Sequence, residues 1–129
     1  SDVYKRQEYM HEKILKEICG YAADEQFKND DLITEEYKGI RPAPGYTACP
    51  DHTEKLKIFK LLNAEKSIGV SLTESMAMSP NATVSGYYFA HSEAKYFSVG
   101  KVQDDQIVDY AKRKNMSVEE VEKWLRSNI

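Results

Sequence analysis

The sequence predicts an α+β domain in which a small twisted antiparallel sheet is flanked by helices. Apolar residues recur at helical spacing near both ends of the chain and alternate at strand spacing in its middle. The 129 residues suit one domain, and 41% hydrophobic with 30% charged residues is typical of a soluble globular protein. A net charge of -3 argues against nucleic-acid binding by bulk electrostatics. No apolar run approaches the roughly 20 residues of a membrane span.

The first predicted helix covers Tyr4 to Cys19, and Gly20 can end it. Its apolar stripe has four-residue spacing and a charged opposite face. The stripe consists of Met10, Ile14, Leu15 and Ile18. No secretory signal precedes this helix, so the expected location is the cytoplasm, with both cysteines reduced.

Two further helices are predicted around a proline-rich segment. Asp30 can cap a short helix from Asp31 to Lys38. After the prolines, Asp51 and Glu54 have the spacing of a capping box, which predicts a helix start. The apolar face of this helix is predicted to consist of Leu56, Phe59 and Leu62.

Three strands are predicted in the middle of the chain. Alternating apolar residues indicate a half-buried strand from Ser67 to Thr73. β-branched and aromatic residues indicate a second from Thr83 to His91. The segment from Lys95 to Val102 is its expected antiparallel partner, joined by a short turn.

The chain closes with two short predicted helices, Asp105 to Lys114 and Val118 to Arg126. Ser117 and Glu120 form a second capping-box pattern. The pair resembles a helix-turn-helix, which leaves a DNA-binding regulator as one alternative. The acidic net charge and the acidic last helix argue against that alternative.

The proline-rich segment, "IRPAPGYTACPDHTEK", is the most constrained loop in the sequence. Pro42 favours extended backbone at Arg41, and Pro44-Gly45 is a preferred centre of a type II turn. Such a segment is expected to turn free N–H and C=O groups outward, toward a planar polar ligand. Arg41 offers a fork for a carboxylate or phosphate, and Tyr46 offers a ring. A plain stiff connector between helices is the alternative.

Cys49 and His52 in the same segment have C-x-x-H spacing. No second pair with ligand spacing accompanies them, so no metal site is predicted. A Cys49–His52 nucleophile pair is equally unfavoured, and no catalytic residue is predicted.

Four long motifs resemble the C-terminal activation domain of cobalamin-dependent methionine synthase. The resemblance runs from about His11 to the last residue. The motifs are "RPAPGYTACPDHTEK", "GVSLTESMAM", "VSGYYFAHSEAKYFSVGK" and "DQIVDYAKRK".

The resemblance implies S-adenosylmethionine binding for reductive methylation, the reactivation of cob(II)alamin, in an enzyme of methionine biosynthesis that methylates homocysteine. Arg41, Gly45 and Tyr46 match the family's R-x-x-x-G-Y signature, and Tyr96 with Phe97 matches its aromatic pair. The implied contacts also include the backbone around Ala43. Cobalamin would be held by another domain of the full enzyme, and flavodoxin or a similar reductase would supply the electron. The implied fold is a curved α/β domain with a twisted sheet.

The family domain is about twice as long as this chain, so residues 8–129 are interpreted as its C-terminal portion and 1–7 as a non-native or unmatched leader. An acidic cofactor contact of the family falls in the half that is not matched. Thr47 and Ser127 stand where the family usually has proline. The portion alone is not expected to be catalytic. The alternative function is a protein-interaction module that docks a reductase or the cobalamin domain, without useful cofactor affinity of its own.

Overall fold

The computed structural model describes residues 2–24 and 39–129, which belong to two compact units. Unit 1 comprises Ser1–Arg41 and Tyr88–Lys95, and unit 2 comprises Pro42–Tyr87 and Tyr96–Ile129. The predicted helix from Asp31 to Lys38 lies outside the described residues. Across the two described ranges, no helix is both long and apolar enough to cross a membrane.

Unit 1 begins with helix α1, Asp2–Lys13, which continues into a π-helical turn, Ile14–Ile18. The predicted first helix is therefore confirmed in position. Gly20 follows at φ +63, a conformation in which glycine commonly ends helices.

The buried face of α1 differs from the predicted apolar stripe. Met10 and Ile18 are 48% and 67% exposed, whereas Leu15 is buried together with Glu8 and His11. These three buried residues share one side of the helix, since they lie three and four positions apart. The prediction was wrong because two of the three are polar, and a search for apolar periodicity passes over them.

In unit 2, helix α2 (Glu54–Leu62) and helix α3 (Ala64–Ile68) are separated by Asn63 in the left-handed conformation. The buried side chains of α2 are Lys55 and Ile58. Of the predicted apolar face, Leu56 and Leu62 are instead 47% and 63% exposed. Again a charged residue takes a position that the periodicity assigned to solvent.

The sheet has two strands where three were predicted. Strand β1, Ser71–Leu72, pairs antiparallel with strand β2, Met78–Ser79. The predicted strand from Ser67 to Thr73 is wrong in its first part, because its first two residues belong to α3. A small antiparallel sheet with helices remains, so the α+β class is confirmed.

The other two predicted strands, Thr83 to His91 and Lys95 to Val102, do not pair with each other. The first instead pairs with the proline-rich segment. Within unit 1, Phe89 and Ile40 exchange two backbone hydrogen bonds of 2.8 and 3.1 Å. Within unit 2, the Tyr87 N–H donates to the Pro42 carbonyl at 2.9 Å. Pro42 has no N–H to return, so the pairing yields no regular strand.

The chain ends in helix α4 (Asp104–Lys114), helix α5 (Val118–Trp124) and a 3₁₀ turn (Arg126–Asn128). The Ser117 hydroxyl accepts from the Glu120 N–H at 3.2 Å, so the predicted cap at the start of α5 is confirmed. α4 and α5 pack together through a buried apolar cluster. Its members are Ile107, Ala111, Val121 and Leu125.

Replacing Ile107 by Ala should lower the free energy of unfolding by about 2–5 kcal/mol, because the deletion leaves a cavity in a close-packed cluster. Ile107 is 2% exposed, whereas the adjacent Val108 is 56% exposed and serves as the control. We expect Val108→Ala to change stability by less than about 0.5 kcal/mol. Urea denaturation compares the two, and equal effects would contradict this description of the cluster.

Candidate ligand-binding segment

The proline-rich segment contains the predicted tight turn. The Tyr46 N–H donates to the Ala43 carbonyl at 3.2 Å across Pro44-Gly45. Gly45 has φ +98, as the third position of a type II turn requires. Pro44 is fully buried, so the turn is anchored on its inner side. The turn prediction is confirmed.

A second reversal of the chain directly follows the Pro44-Gly45 turn. Its hydrogen bonds use backbone groups that were expected to face outward. The Gly45 N–H donates to the Cys49 carbonyl at 2.7 Å, and the Cys49 N–H donates to the Tyr46 carbonyl at 2.9 Å. The expectation of a generally free backbone is therefore wrong. Within the described residues, the Ala43 N–H makes no hydrogen bond.

The predicted aromatic residues lie on two segments of unit 2 that are hydrogen-bonded to each other. Tyr46 is 72% exposed, and Tyr96 and Phe97 are 44% and 58% exposed. The Val99 N–H donates to the Thr47 carbonyl at 3.0 Å, which ties the segment after Phe97 to the turn.

The 3₁₀ turn fixes the far end of this aromatic segment. The Asn128 side-chain amide donates to the Val99 carbonyl at 2.7 Å and to the Gly100 carbonyl at 3.2 Å. The Asn128 backbone carbonyl accepts from the Val102 N–H at 2.7 Å. One residue thus binds the backbone on both sides of Lys101. The sequence gives no local signal for this role, because the partners lie almost thirty positions away.

Arg41 belongs to unit 1, where its guanidinium forms an ion pair with Glu8 of α1. The two side chains are only 15% and 5% exposed. His11, one turn further along α1, meets the Tyr88 ring edge-on at 5.1 Å between centroids. Burial lowers the pKa of His11 to about 4, so this imidazole is neutral at pH 7.

Asp51, which the sequence marked only as a helix cap, is the centre of a buried polar network in unit 2. One carboxylate oxygen accepts from the Thr53 N–H and hydroxyl, both at 2.7 Å. The other accepts from the Tyr110 hydroxyl at 2.7 Å and lies 3.1 Å from the Lys114 ammonium. Lys114 also pairs with Glu54. The predicted capping box is wrong: α2 begins at Glu54, and Asp51 reaches Thr53 and α4 instead.

The network changes the protonation of its members. Burial opposes ionisation of Asp51, but hydrogen bonds from Thr53, Tyr110 and Lys114 outweigh it and lower the pKa of the carboxyl. Burial and the Asp51 acceptor raise the pKa of Tyr110 far above its usual value. Lys114 is therefore a cation that faces an anion in the folded chain. These groups stabilise the end of the proline-rich segment and are not poised to exchange protons.

Cys49 and His52, which have C-x-x-H spacing, lie at the end of the proline-rich segment. Among the residues that the structure describes, no group of three or more potential ligands could hold a metal ion. Burial and the nearby carboxylates of Glu54 and Asp51 raise the pKa of the Cys49 thiol, which disfavours the reactive thiolate. His52 accepts at Nδ1 from the Lys55 ammonium at 2.9 Å.

Replacing Asp51 by Asn should lower the free energy of unfolding at pH 7 by about 2–4 kcal/mol, because Lys114 then loses a buried anion. The pKa of Asp51 is below its usual 3.8, so its contribution is present above that pH and is lost as the pH falls through the lowered value. The deficit of the variant should therefore shrink in acid. Denaturation at pH 7 and at pH 3 measures it.

The matched control for this change is Asp109→Asn, on the exposed side of α4. Asp109 and its partner Arg113 are 62% and 67% exposed, so the control should cost less than about 0.5 kcal/mol. If the free energy of unfolding falls equally in both variants, the buried Asp51 network stabilises the fold no more than the exposed Asp109–Arg113 pair does.

Comparison with known proteins identifies the family of this chain. Residues 5–115 match the family described as vitamin B12 dependent methionine synthase, activation domain. A structure described as "Crystal Structure of the MetH Reactivation Domain bound to AdoHcy" matches with a TM-score of 0.91 and 56% identity over 95% of this chain. The chain spans 38% of the length of that protein. The chain therefore belongs to the activation-domain family of vitamin B12-dependent methionine synthases.

Proposed function

We propose that this domain binds S-adenosylmethionine and presents its methyl group for reductive methylation of cob(II)alamin in a methionine synthase. The observation that carries the proposal is the 56% identity to a reactivation domain whose structure contains AdoHcy. AdoHcy, S-adenosylhomocysteine, is what remains when S-adenosylmethionine has given up its methyl group. A site that binds S-adenosylhomocysteine therefore has the shape needed for most of S-adenosylmethionine.

Unit 2 offers groups that suit the adenosine and sulfonium parts of this ligand. The Ala43 N–H is a donor at the edge of a rigid turn. Tyr46, Tyr96 and Phe97 expose ring surface on hydrogen-bonded segments. A sulfonium is favoured over an aromatic face because the ring carries negative charge density there. The proposed part of Gly45 in binding is to shape the turn, since its N–H already donates to the Cys49 carbonyl.

Arg41 is proposed as the partner of the ligand's carboxylate. Its guanidinium already takes part in an ion pair with the Glu8 carboxylate, so it is oriented by an anion in this structure. A guanidinium matches the geometry of a carboxylate through two parallel hydrogen bonds, which is why Arg41 suits the carboxylate of the ligand.

The chemistry itself would be supplied from outside this chain. Cobalamin, held by another domain of the same enzyme, is the methyl acceptor, and flavodoxin or a similar reductase is the proposed electron donor. The chain's own part is to bind and orient the methyl donor. Such positioning can lower an activation barrier by about 7–11 kcal/mol at most. This role requires no acid, base or nucleophile from the domain.

Titration calorimetry on the full-length protein with S-adenosylmethionine and S-adenosylhomocysteine tests the proposal. We expect both to bind, and S-adenosylmethionine to restore activity to oxidised enzyme when a reductant is present. Absence of binding by folded protein would refute it. The interaction-module alternative, which has no useful cofactor affinity, predicts that absence of binding. Binding without restored activity would refute the role in reactivation.

Replacing Gly45 by Val should abolish reactivation while turnover of unoxidised enzyme continues. Two effects combine: φ +98 is strained for a β-branched residue, and a Cβ here would lie 2.1 Å from His52 Cε1. Gly100→Val is the control, because a Cβ at Gly100 meets no atom within 4 Å. Reactivation assays after deliberate oxidation compare the two. Normal reactivation by the Gly45 variant would show that the turn is not required.

Replacing Arg41 by Ala should weaken S-adenosylmethionine binding by about 1.5–3 kcal/mol, the range for a hydrogen bond to a charged group. The control is Glu8→Gln, which removes the same ion pair but keeps the guanidinium. Calorimetry should show near-normal affinity for the control. If the control loses as much affinity as Arg41→Ala, the effect arises from disturbed packing of unit 1, and the carboxylate assignment fails.

A further inference from the structure

The His52 side chain occupies the space that a side chain at Gly45 would fill. A Cβ at Gly45 would lie 2.1 Å from Cε1, 2.6 Å from Nδ1 and 2.7 Å from Nε2 of the imidazole. Side chain and turn are therefore in direct van der Waals contact. Gly45 is required at its position both by its φ of +98 and by the imidazole that lies against it.

Lys55 holds the imidazole in this position. Its ammonium donates to His52 Nδ1 at 2.9 Å and to the Met76 carbonyl at 2.9 Å. Lys55 is 6% exposed, so this donor is fixed by burial. On the other side, the Trp124 ring of α5 lies 6.4 Å from the imidazole centroid. The imidazole thus has neighbours on the turn, on α2 and on α5.

The Lys55 contact also determines the protonation state of His52. An ammonium can only donate, so Nδ1 must accept, and the ring proton lies on Nε2 of a neutral imidazole. Burial and the positive charge of Lys55 lower the pKa of His52, and the negative charge of Asp51 opposes them only in part. On α5, the Lys123 ammonium lies over the Trp124 ring at 5.0 Å from its centroid.

We propose that His52 is a positioning residue for S-adenosylmethionine: its ring is the support against which the Pro44-Gly45 turn closes, and through that turn it places Ala43 and Tyr46. The inference rests on the proposed function for its ligand, but the contact between ring and turn stands without it.

Two substitutions separate the ring from its hydrogen bond. His52→Asn places an amide oxygen near the position of Nδ1, so it keeps an acceptor for Lys55 but removes the ring. His52→Phe keeps a ring beside Gly45 but removes the acceptor. The two variants lose different interactions. If only the hydrogen bond to Lys55 mattered, His52→Phe would lose more ligand affinity, whereas support of the turn by the ring predicts the larger loss in His52→Asn.

Calorimetry with S-adenosylmethionine on the full-length protein should show a loss of affinity of about tenfold or more for His52→Asn, because the turn is displaced. His52→Phe should stay within about threefold of the wild type. Wild-type affinity should fall as the pH drops below the usual pKa of 6.5, as a second positive charge forms beside Lys55. His52→Phe should lack this decrease. Unchanged affinity in His52→Asn, or equal loss in both variants, overturns the inference.

Hydrogen exchange without ligand gives an independent readout. The Gly45 and Tyr46 amides donate within the two reversals, so they should be protected in the wild type and in His52→Phe. In His52→Asn they should exchange faster. If the wild type binds no S-adenosylmethionine but this exchange pattern holds, the proposed function fails and the support by His52 stands. Equal protection in all three chains refutes the support.

Discussion

The buried carboxylate of Asp51 is the interaction on which unit 2 depends. It stands where the proline-rich segment passes into α2, and it also receives the Tyr110 hydroxyl and the Lys114 ammonium of α4. A buried charge is tolerated only with such partners, because the cost of removing it from water is several kcal/mol. The four hydrogen-bonding groups around it therefore fix the start of α2, the end of the turn and the face that α4 presents.

Buried polar residues explain why the sequence predicted the helices better than their faces. α1, α4 and α5 lie where the apolar spacing and the Ser117 cap place them. The buried faces of α1 and α2, however, include Glu8, His11 and Lys55. Each has a partner far away in the sequence or on another element, and apolar periodicity contains no information about such partners.

The proline-rich segment shows the same division between local and distant information. Pro44-Gly45 predicts its own turn, since the constraint on φ is a property of those two residues. The reversal up to Cys49, the His52 contact and the pairing of Tyr87 with Pro42 depend on the folded chain, and none of them could be predicted. The candidate binding residues came from a family resemblance, because exposed aromatic residues have no pattern of their own.

The hydrogen bonds of Asn128 affect the order in which parts of the domain can assemble during synthesis. Its amide and carbonyl bind the backbone at Val99, Gly100 and Val102, almost thirty residues earlier in the chain. A ribosome adds about 5–20 residues per second, so these groups wait a second or more for their partner. During that interval the segment that carries Tyr96 and Phe97 lacks its hydrogen bonds to Asn128. The segment that carries Tyr96 and Phe97 is thus fixed only after the turn and α2 have had time to form.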